Sequence, residues 1–262
     1  MFKIVRQKIN KKEDKERWLT PTSINAYLRC PRKFYYRYKL RLGTKPNIHL
    51  VRGNIVHKTL ELFFKFKLFK ATEYYAGLRA AALDLFDETW RDHSKKLQAL
   101  DLRAQDLDFY YDDSRKMILN WLHLFLKEEP KDFNPITEKR LFSKTHRAYA
   151  IADIIKNGTG IPHIIDYKTS KSMTMYDEYR LQLAIQSLCY SEDKGFIDHR
   201  VGIHFLKFPE GLKLFKPSDK ANQYAIEKIK FVRANIQSND IQDYPCTCGG
   251  WCKKDFVMNT QH

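Results

Sequence analysis

Along this chain the spacing of apolar positions changes period, and the change divides it into parts. Residues 50–130 carry Leu, Ala, Phe and Trp at three- and four-residue intervals, the stripe an amphipathic helix buries. One helix is expected from Gly53 to about Lys70, with two or three more behind it, closed by Pro130 and Pro135. The period then shortens to two. ITEKRLFS (136–143), YAIADIIK (149–156), HIIDYK (163–168) and RVGIHFLKF (200–208) predict strands, and Asn157-Gly158 marks a hairpin turn between the second and third. Helical spacing returns from Tyr176 to about Tyr190 and over 219–237. Upstream, Thr20-Pro21-Thr22-Ser23 is a helix start, and Pro31 interrupts or kinks the helical pattern after it. The pattern predicts an α/β chain with a small mixed sheet. Its expected parts are a basic arm at 1–18 and one domain over 19–262. That domain holds a helical insertion (50–130), a sheet core (136–208) and a cysteine-rich loop (240–258).

Composition fits that reading and excludes others. The chain has 262 residues, 43% of them hydrophobic and 14% aromatic, enough to bury a core and too apolar for a disordered tail. No apolar run reaches the ~18 residues of a membrane helix, so no membrane is expected as a partner. The first 18 residues lack an apolar segment and include Glu13, Asp14 and Glu16, unlike a secretory signal or a transit peptide. A cytoplasmic, or nucleoid-associated, protein is expected.

Charge is unevenly placed. The net charge is +16, and residues 1–70, with 19 Lys/Arg against 4 Asp/Glu, carry +15 of it. Arg29, Arg32, Lys33, Arg37 and Lys39 lie among Tyr27, Phe34, Tyr35, Tyr36 and Tyr38, a mixture suited to a polyanion whose bases stack. A solvated basic helix face accounts for the same run. An anionic membrane surface is a third option, although no amphipathic anchor accompanies the charge.

Five cysteines make an odd count. Cys189, inside LAIQSLCY, reads as core. Cys246, Cys248 and Cys252 crowd into PCTCGGWC, and Cys30 stands alone near the other end. Four thiolates from the two ends suit a 4Fe–4S cluster or one zinc ion.

The sharpest chemistry lies in the hairpin. A turn within 157–162 sets Asp153 opposite Asp166, with Cβ atoms about 5 Å apart. Two ionised carboxylates that close repel unless a proton or a cation sits between them. Lys168 projects from the same strand face as Asp166, while Ile165 and Tyr167 point the other way. Such a face is a cradle for a hard divalent cation or, on the blander view, a solvated surface pair.

These residues resemble a known family. IIDYKTS, after a hairpin carrying an earlier aspartate, resembles the core of the PD-(D/E)XK nucleases, in their RecB-like exonuclease branch. GNIVHKTLE (Gly53, His57, Glu61) is similar to that branch's histidine helix, and YRLQLAIQSLCY to its glutamine motif. SINAYLRCPRKFYYRY with the late cysteines resembles the iron–sulfur subgroup, which includes the CRISPR adaptation nuclease and the AddB nuclease domain. The glutamine aligns best at Gln182, where LQLAIQ fits the flanking pattern; the family's later tyrosine then falls on Gln186, and alignment at Gln186 would put it on Tyr190.

The resemblance implies a restriction-endonuclease-like core with a helical insertion, acting as a metal-dependent DNA exonuclease on single-stranded ends. It implies Mg2+ or Mn2+ held by His57, Asp153, Asp166 and the Tyr167 carbonyl. Lys168 would act on the attacking water and the phosphorane, Gln182 would position it, and Glu61 would support His57. Cys30, Cys246, Cys248 and Cys252 would hold a 4Fe–4S cluster, with zinc as the alternative. Alternative roles are a CRISPR spacer-acquisition subunit working with an integrase, a nuclease partnered by a helicase, and a non-catalytic iron–sulfur DNA-binding module.

Overall fold

The computed structural model describes residues 17–70, 75–128, 135–157, 160–195 and 198–257. Most of the expected arm at 1–18, and Gly158 of the expected turn, lie outside these residues.

Five strands form one sheet in the order β1-β2-β3-β4-β5: Ile136–Ser143, Ala148–Lys156, His163–Lys168, Arg200–Phe205 and Leu212–Phe215. β3 and β4 pair in parallel and the other neighbours are antiparallel, giving the expected mixed sheet. Three of the four expected strands start or end within a residue of the spacing, but the fourth is shorter and ends at Phe205. The extra strand, β5, was not expected from the sequence. It follows a turn so tight that a Cβ on Gly211 would lie 2.1 Å from the Phe205 carbonyl oxygen, which leaves only glycine there.

Helices cover both faces. α1 (Pro21–Arg29) begins at Thr20 in a reciprocal cap: the Ser23 amide donates to Thr20 Oγ1, and the Thr20 amide to Ser23 Oγ. The chain then extends through Cys30 and restarts at Pro31 as α2 (Pro31–Phe34) and a π-helical turn (Tyr35–Lys39). Pro31 therefore places Cys30 in the break between two helices. α3 runs Ile48–Lys65, five residues earlier at each end than expected, and starts where Asn47 caps the Leu50 amide. α4 (Tyr75–Asp92), α5 (Ser94–Gln98) and α6 (Ala104–Glu128) complete the helical region. α7 (Asp177–Lys194) crosses over between β3 and β4, and α8 (Asp219–Asn235) follows the sheet.

The sheet separates two cores. α1, α7, α8 and the C-terminal segment pack on one face with Ala148, Ala150, Ala152 and Ile164. α3, α4 and α6 pack on the other with Ile154, Ile165 and Tyr167. On β2 the regular alternation slips by one residue between Ala152 and Ile154. Opposite that slip sits Glu138 on β1, between the pairs Thr137↔Ile154 and Lys139↔Ala152, with φ +50°. A left-handed non-glycine residue inside a strand is strained. The distortion falls beside Asp153. Buried Arg52 of α3 ties the layers together by pairing with Asp113 of α6, which also receives Lys207, while its Nη2 reaches the Thr169 carbonyl at 3.4 Å.

Candidate active site

β2 and β3 pair only through Ile154↔Ile165, Ile155↔Ile164 and Lys156↔His163. That register continues to Asp153 opposite Asp166, where the ladder has stopped. In place of a strand partner, the Tyr167 amide donates to Asp153 Oδ2 at 2.5 Å. The strands thus part at the two aspartates, and the gap opens into a cleft of about 870 Å3.

Each wall supplies one of the expected groups. From α3, His57 Nδ1 approaches Asp153 Oδ2 at 3.4 Å. From β3, Lys168 Nζ lies 2.5 Å from Asp166 Oδ2. From α7, Gln182 Oε1 accepts from Lys168 Nζ at 2.9 Å, and Gln182 Nε2 donates to Asp166 Oδ1. His57, Asp153, Asp166, Lys168 and Gln182 are therefore brought together. The Tyr167 backbone lies at the site, but its ring faces the helical core, where its hydroxyl accepts from Trp121 Nε1. Glu61 lines the cleft and bonds Lys58, not His57.

The electrostatics separate the two aspartates. Burial raises the Asp166 carboxyl, and Asp153 adds to this against the pull of Lys168, so its pKa lies above the usual carboxylate range. Burial also opposes ionisation of Asp153, but His57, the Tyr167 amide and Lys168 outweigh it and hold its pKa low. For His57 and Lys168, burial favours the neutral forms. Asp153 overrides it at the ring, Asp166 at the amine, and both pKa values rise. Two buried carboxylates this close favour a cation between them. Two carboxylates and an imidazole at one gap fit a hard divalent cation of the Mg2+ or Mn2+ type.

Three further participants join the site; Gln186 was the alternative alignment of the glutamine motif, and sequence reasoning missed the other two. Gln186, fully buried one turn beyond Gln182, donates to the Ile151 carbonyl at 3.1 Å and reaches Asp166 Oδ1 at 3.5 Å. The ring beside Lys168 is Tyr179, 5.1 Å from the ammonium, whereas Tyr190 packs on His199. Glu138 is the third. Desolvation by the cleft wall, then Asp153 and Glu61, push its carboxyl up to about 7. The β1–β2 register, with Glu138 opposite Asp153, was the signal that could have found it.

Glu138 gives a pH prediction. Its folded pKa lies above the unfolded value, so its stabilising contribution is complete below about pH 4.5 and lost as pH rises through about 7. Discounted for exposure, the loss is about 1 kcal/mol. Glu138→Gln in EDTA should melt roughly 2–4 °C above the parent at pH 8 and level with it at pH 5. Equal melting at both pH values would refute the assignment.

Of the five cations expected to contact DNA, the structure brings only Arg37 to the cleft. Arg29 pairs with Glu178, Arg32 donates to the Tyr244 carbonyl, Lys33 pairs with Asp255, and Lys39 is buried against Asn239 Oδ1. Arg32, Lys33 and Lys39 thus face the docked C-terminal segment, whereas Arg29 reaches α7.

A second centre lies there. The sulfurs of Cys30, Cys246, Cys248 and Cys252 all fall within 4.8 Å of one another, a group that could bind a metal. The Gly250 amide donates to Cys246 Sγ and the Cys252 amide to Cys248 Sγ. Gly249 and Gly250 adopt φ +60° and +85°, which glycine takes without strain, so the loop can turn its amides onto the sulfurs. Backbone amides from Cys248 and Gly250 pull the Cys246 thiol down to about 6, whereas burial pushes Cys252 up. Cys189 lies apart, buried under α7, and burial raises its thiol to about 12.

No curated protein matches the chain. Among solved structures, a crystal structure of a candidate exonuclease from Eubacterium rectale shares the fold, with a TM-score of 0.53 at 13% identity over 100% of this chain and 96% of that one. Among the described residues no helix is long and apolar enough to cross a membrane. The family model for the PD-(D/E)XK nuclease superfamily, whose nucleases typically use divalent metals such as Mg2+, matches residues 18–254, and the chain belongs to that superfamily.

Proposed function

We propose that the protein is a metal-dependent DNA exonuclease acting on single-stranded ends. The observation that carries this reading is the gap between β2 and β3, where Asp153, Asp166, Lys168, Gln182 and His57 converge in an open cleft. Asp153, Asp166 and the His57 imidazole would hold the divalent cation. When bound, that cation supplies Lewis acidity at phosphate and acidifies a water.

The protein's own groups do the rest. Asp166 and Gln182 fix the Lys168 amine, and its raised pKa keeps it cationic. It would serve to steady charge developing on the phosphorane. Gln182 spans Asp166 and Lys168 and sets their separation; Gln186 braces Asp166 from beneath.

The four cysteines would bind a structural metal centre that staples α1 and α2 to the C-terminal loop. The family resemblance favours 4Fe–4S. The sulfur spacing favours zinc as a second reading: tetrahedral Zn–S bonds of about 2.3 Å set sulfurs ~3.8 Å apart, against 3.7 Å for Cys246–Cys248 and 3.6 Å for Cys246–Cys252.

The test is digestion of end-labelled single- and double-stranded DNA with Mg2+, Mn2+ or EDTA. Short products should appear from single strands with either metal and vanish in EDTA. Cleavage that persists in EDTA, or none with either metal, would overturn the proposal.

A further inference from the structure

We propose that the cleft ends in a cation-and-aromatic mouth, formed by Arg17, Trp18, Arg37, Tyr38 and Tyr149, that binds an unpaired nucleotide of the substrate strand. The base stacks on a ring and the phosphate meets a guanidinium. This deepens the nuclease reading above and rests on it.

The mouth and the carboxylates line one continuous cavity. From Asp153 back to Tyr149, β2 covers four residues, ~13 Å at 3.3 Å per residue. That is the reach of a few nucleotides of a single strand away from the scissile phosphate. Cavities of this volume hold ligands the size of a small organic molecule, which suits a short run of one strand.

The chemistry at the mouth is specific. Two guanidinium groups approach the Tyr38 ring, Arg17 at 5.7 Å and Arg37 at 5.5 Å. Trp18 is 38% exposed and sits edge-on against Phe142 at 5.5 Å. Phe142 packs in turn on Tyr149, whose ring carries Arg140 at 6.0 Å. An aromatic face accepts any base, but only one released from its pair, and arginines beside it add phosphate contacts and cation–π attraction.

The mouth is also held in place. The Leu19 amide donates to the Arg147 carbonyl, and the Tyr149 amide to the Leu19 carbonyl, joining segment 17–20 to the start of β2. Arg233 Nη1 donates to the Arg17 carbonyl, and Arg17 Nη2 to the Tyr38 carbonyl. The α1 N-terminus at Thr20–Ser23 lines the same cavity, and its dipole favours an anion.

The experiment measures binding of a fluorescent oligothymidylate and of a blunt duplex of equal length to the full chain in EDTA, by anisotropy across a salt series. Trp18→Ala should weaken single-strand binding roughly tenfold and leave duplex binding nearly unchanged, while Trp18→Phe restores most of the loss. Arg37→Ala should flatten the log–log salt slope for the single strand by about 0.7. Phe109→Ala, an exposed ring on α6, is the control and should change neither. If Trp18→Ala does not fold, Arg37→Ala still decides: an unchanged single-strand salt slope in that variant would overturn the mouth. Equal losses for single strand and duplex in Trp18→Ala would overturn it as well. A chain that cleaves nothing yet shows the Trp18 and Arg37 effects would keep the mouth and sink the nuclease reading. A chain that cleaves normally without those effects would do the reverse.

Discussion

Replacing Asp166 or Lys168 by alanine should lower DNA cleavage by at least about a hundredfold, the usual scale for a lost catalytic group, while DNA binding in EDTA stays level or tightens. The two groups hold each other. Lys168 Nζ lies 2.5 Å from Asp166 Oδ2, and Gln182 bridges them from α7. Lys168→Ala removes the cation proposed to steady the phosphorane and leaves Asp166 buried without its main compensating charge. Asp166→Ala removes a carboxylate that the cleft already strains to ionise. Neither group draws DNA electrostatically: the aspartate repels phosphate, and the lysine is spent on the aspartate. Loss of cleavage with retained affinity therefore separates chemistry from binding. Gln182→Ala should fall between, roughly tenfold down, because Asp166 still contacts Lys168 directly and Gln186 still reaches Asp166. Steady-state cleavage of an end-labelled single strand, paired with anisotropy in EDTA, measures both quantities. An alanine variant of either residue keeping a tenth of parental turnover would remove that residue from the chemistry.

The hairpin was legible because strand pairing is arithmetic. Once a turn is placed near 157–162, Asp153 and Asp166 must face each other, and the observed register agrees. The sequence does not carry where the ladder stops. Where the strands part beyond Ile154↔Ile165, the Asp153 carboxylate takes the Tyr167 amide, and Glu138 opposite Asp153 is left-handed. Both are local departures from alternation, which a period-two pattern averages away. The cations near the N-terminus lie mostly away from the cleft for a different reason. Charge density along a sequence does not reveal which side chains a distant segment will cover. Residues 239–255 dock on α1 and α2, and Arg32, Lys33 and Lys39 face that segment. The cleft receives Arg17 and Arg37 in their place. Arg37→Ala is therefore a cleaner probe of the proposed DNA contact than any substitution of Arg32 or Lys33, which hold the docked segment.

Cys30→Ser should strip the second centre of its metal and lower the melting temperature by roughly 10 °C, whereas Cys189→Ser should leave metal content unchanged and cost only a few degrees. Cys30 is the only one of the four ligand thiols supplied from the N-terminal side, in the break that Pro31 makes between α1 and α2. A metal held there joins residues more than two hundred positions apart, so its binding energy becomes folding energy for both ends. The loss is bounded because other contacts join the same surfaces. Phe34 stacks on Tyr244, Tyr36 meets Phe256 edge-on, and Lys33 pairs with Asp255. The docked segment should loosen and not detach. Cys189 only packs, its thiol 3.7 Å from the Ala148 carbonyl, and serine keeps a donor in that position. Metal analysis of anaerobically purified protein also decides the identity of the centre. Four irons with broad absorption near ~400 nm mark the cluster, and one zinc with no colour marks the single tetrahedral ion. If Cys30→Ser retained full metal content and melting temperature, the four thiols would be neighbours without a common ligand, and the stapling role would pass to the aromatic contacts alone.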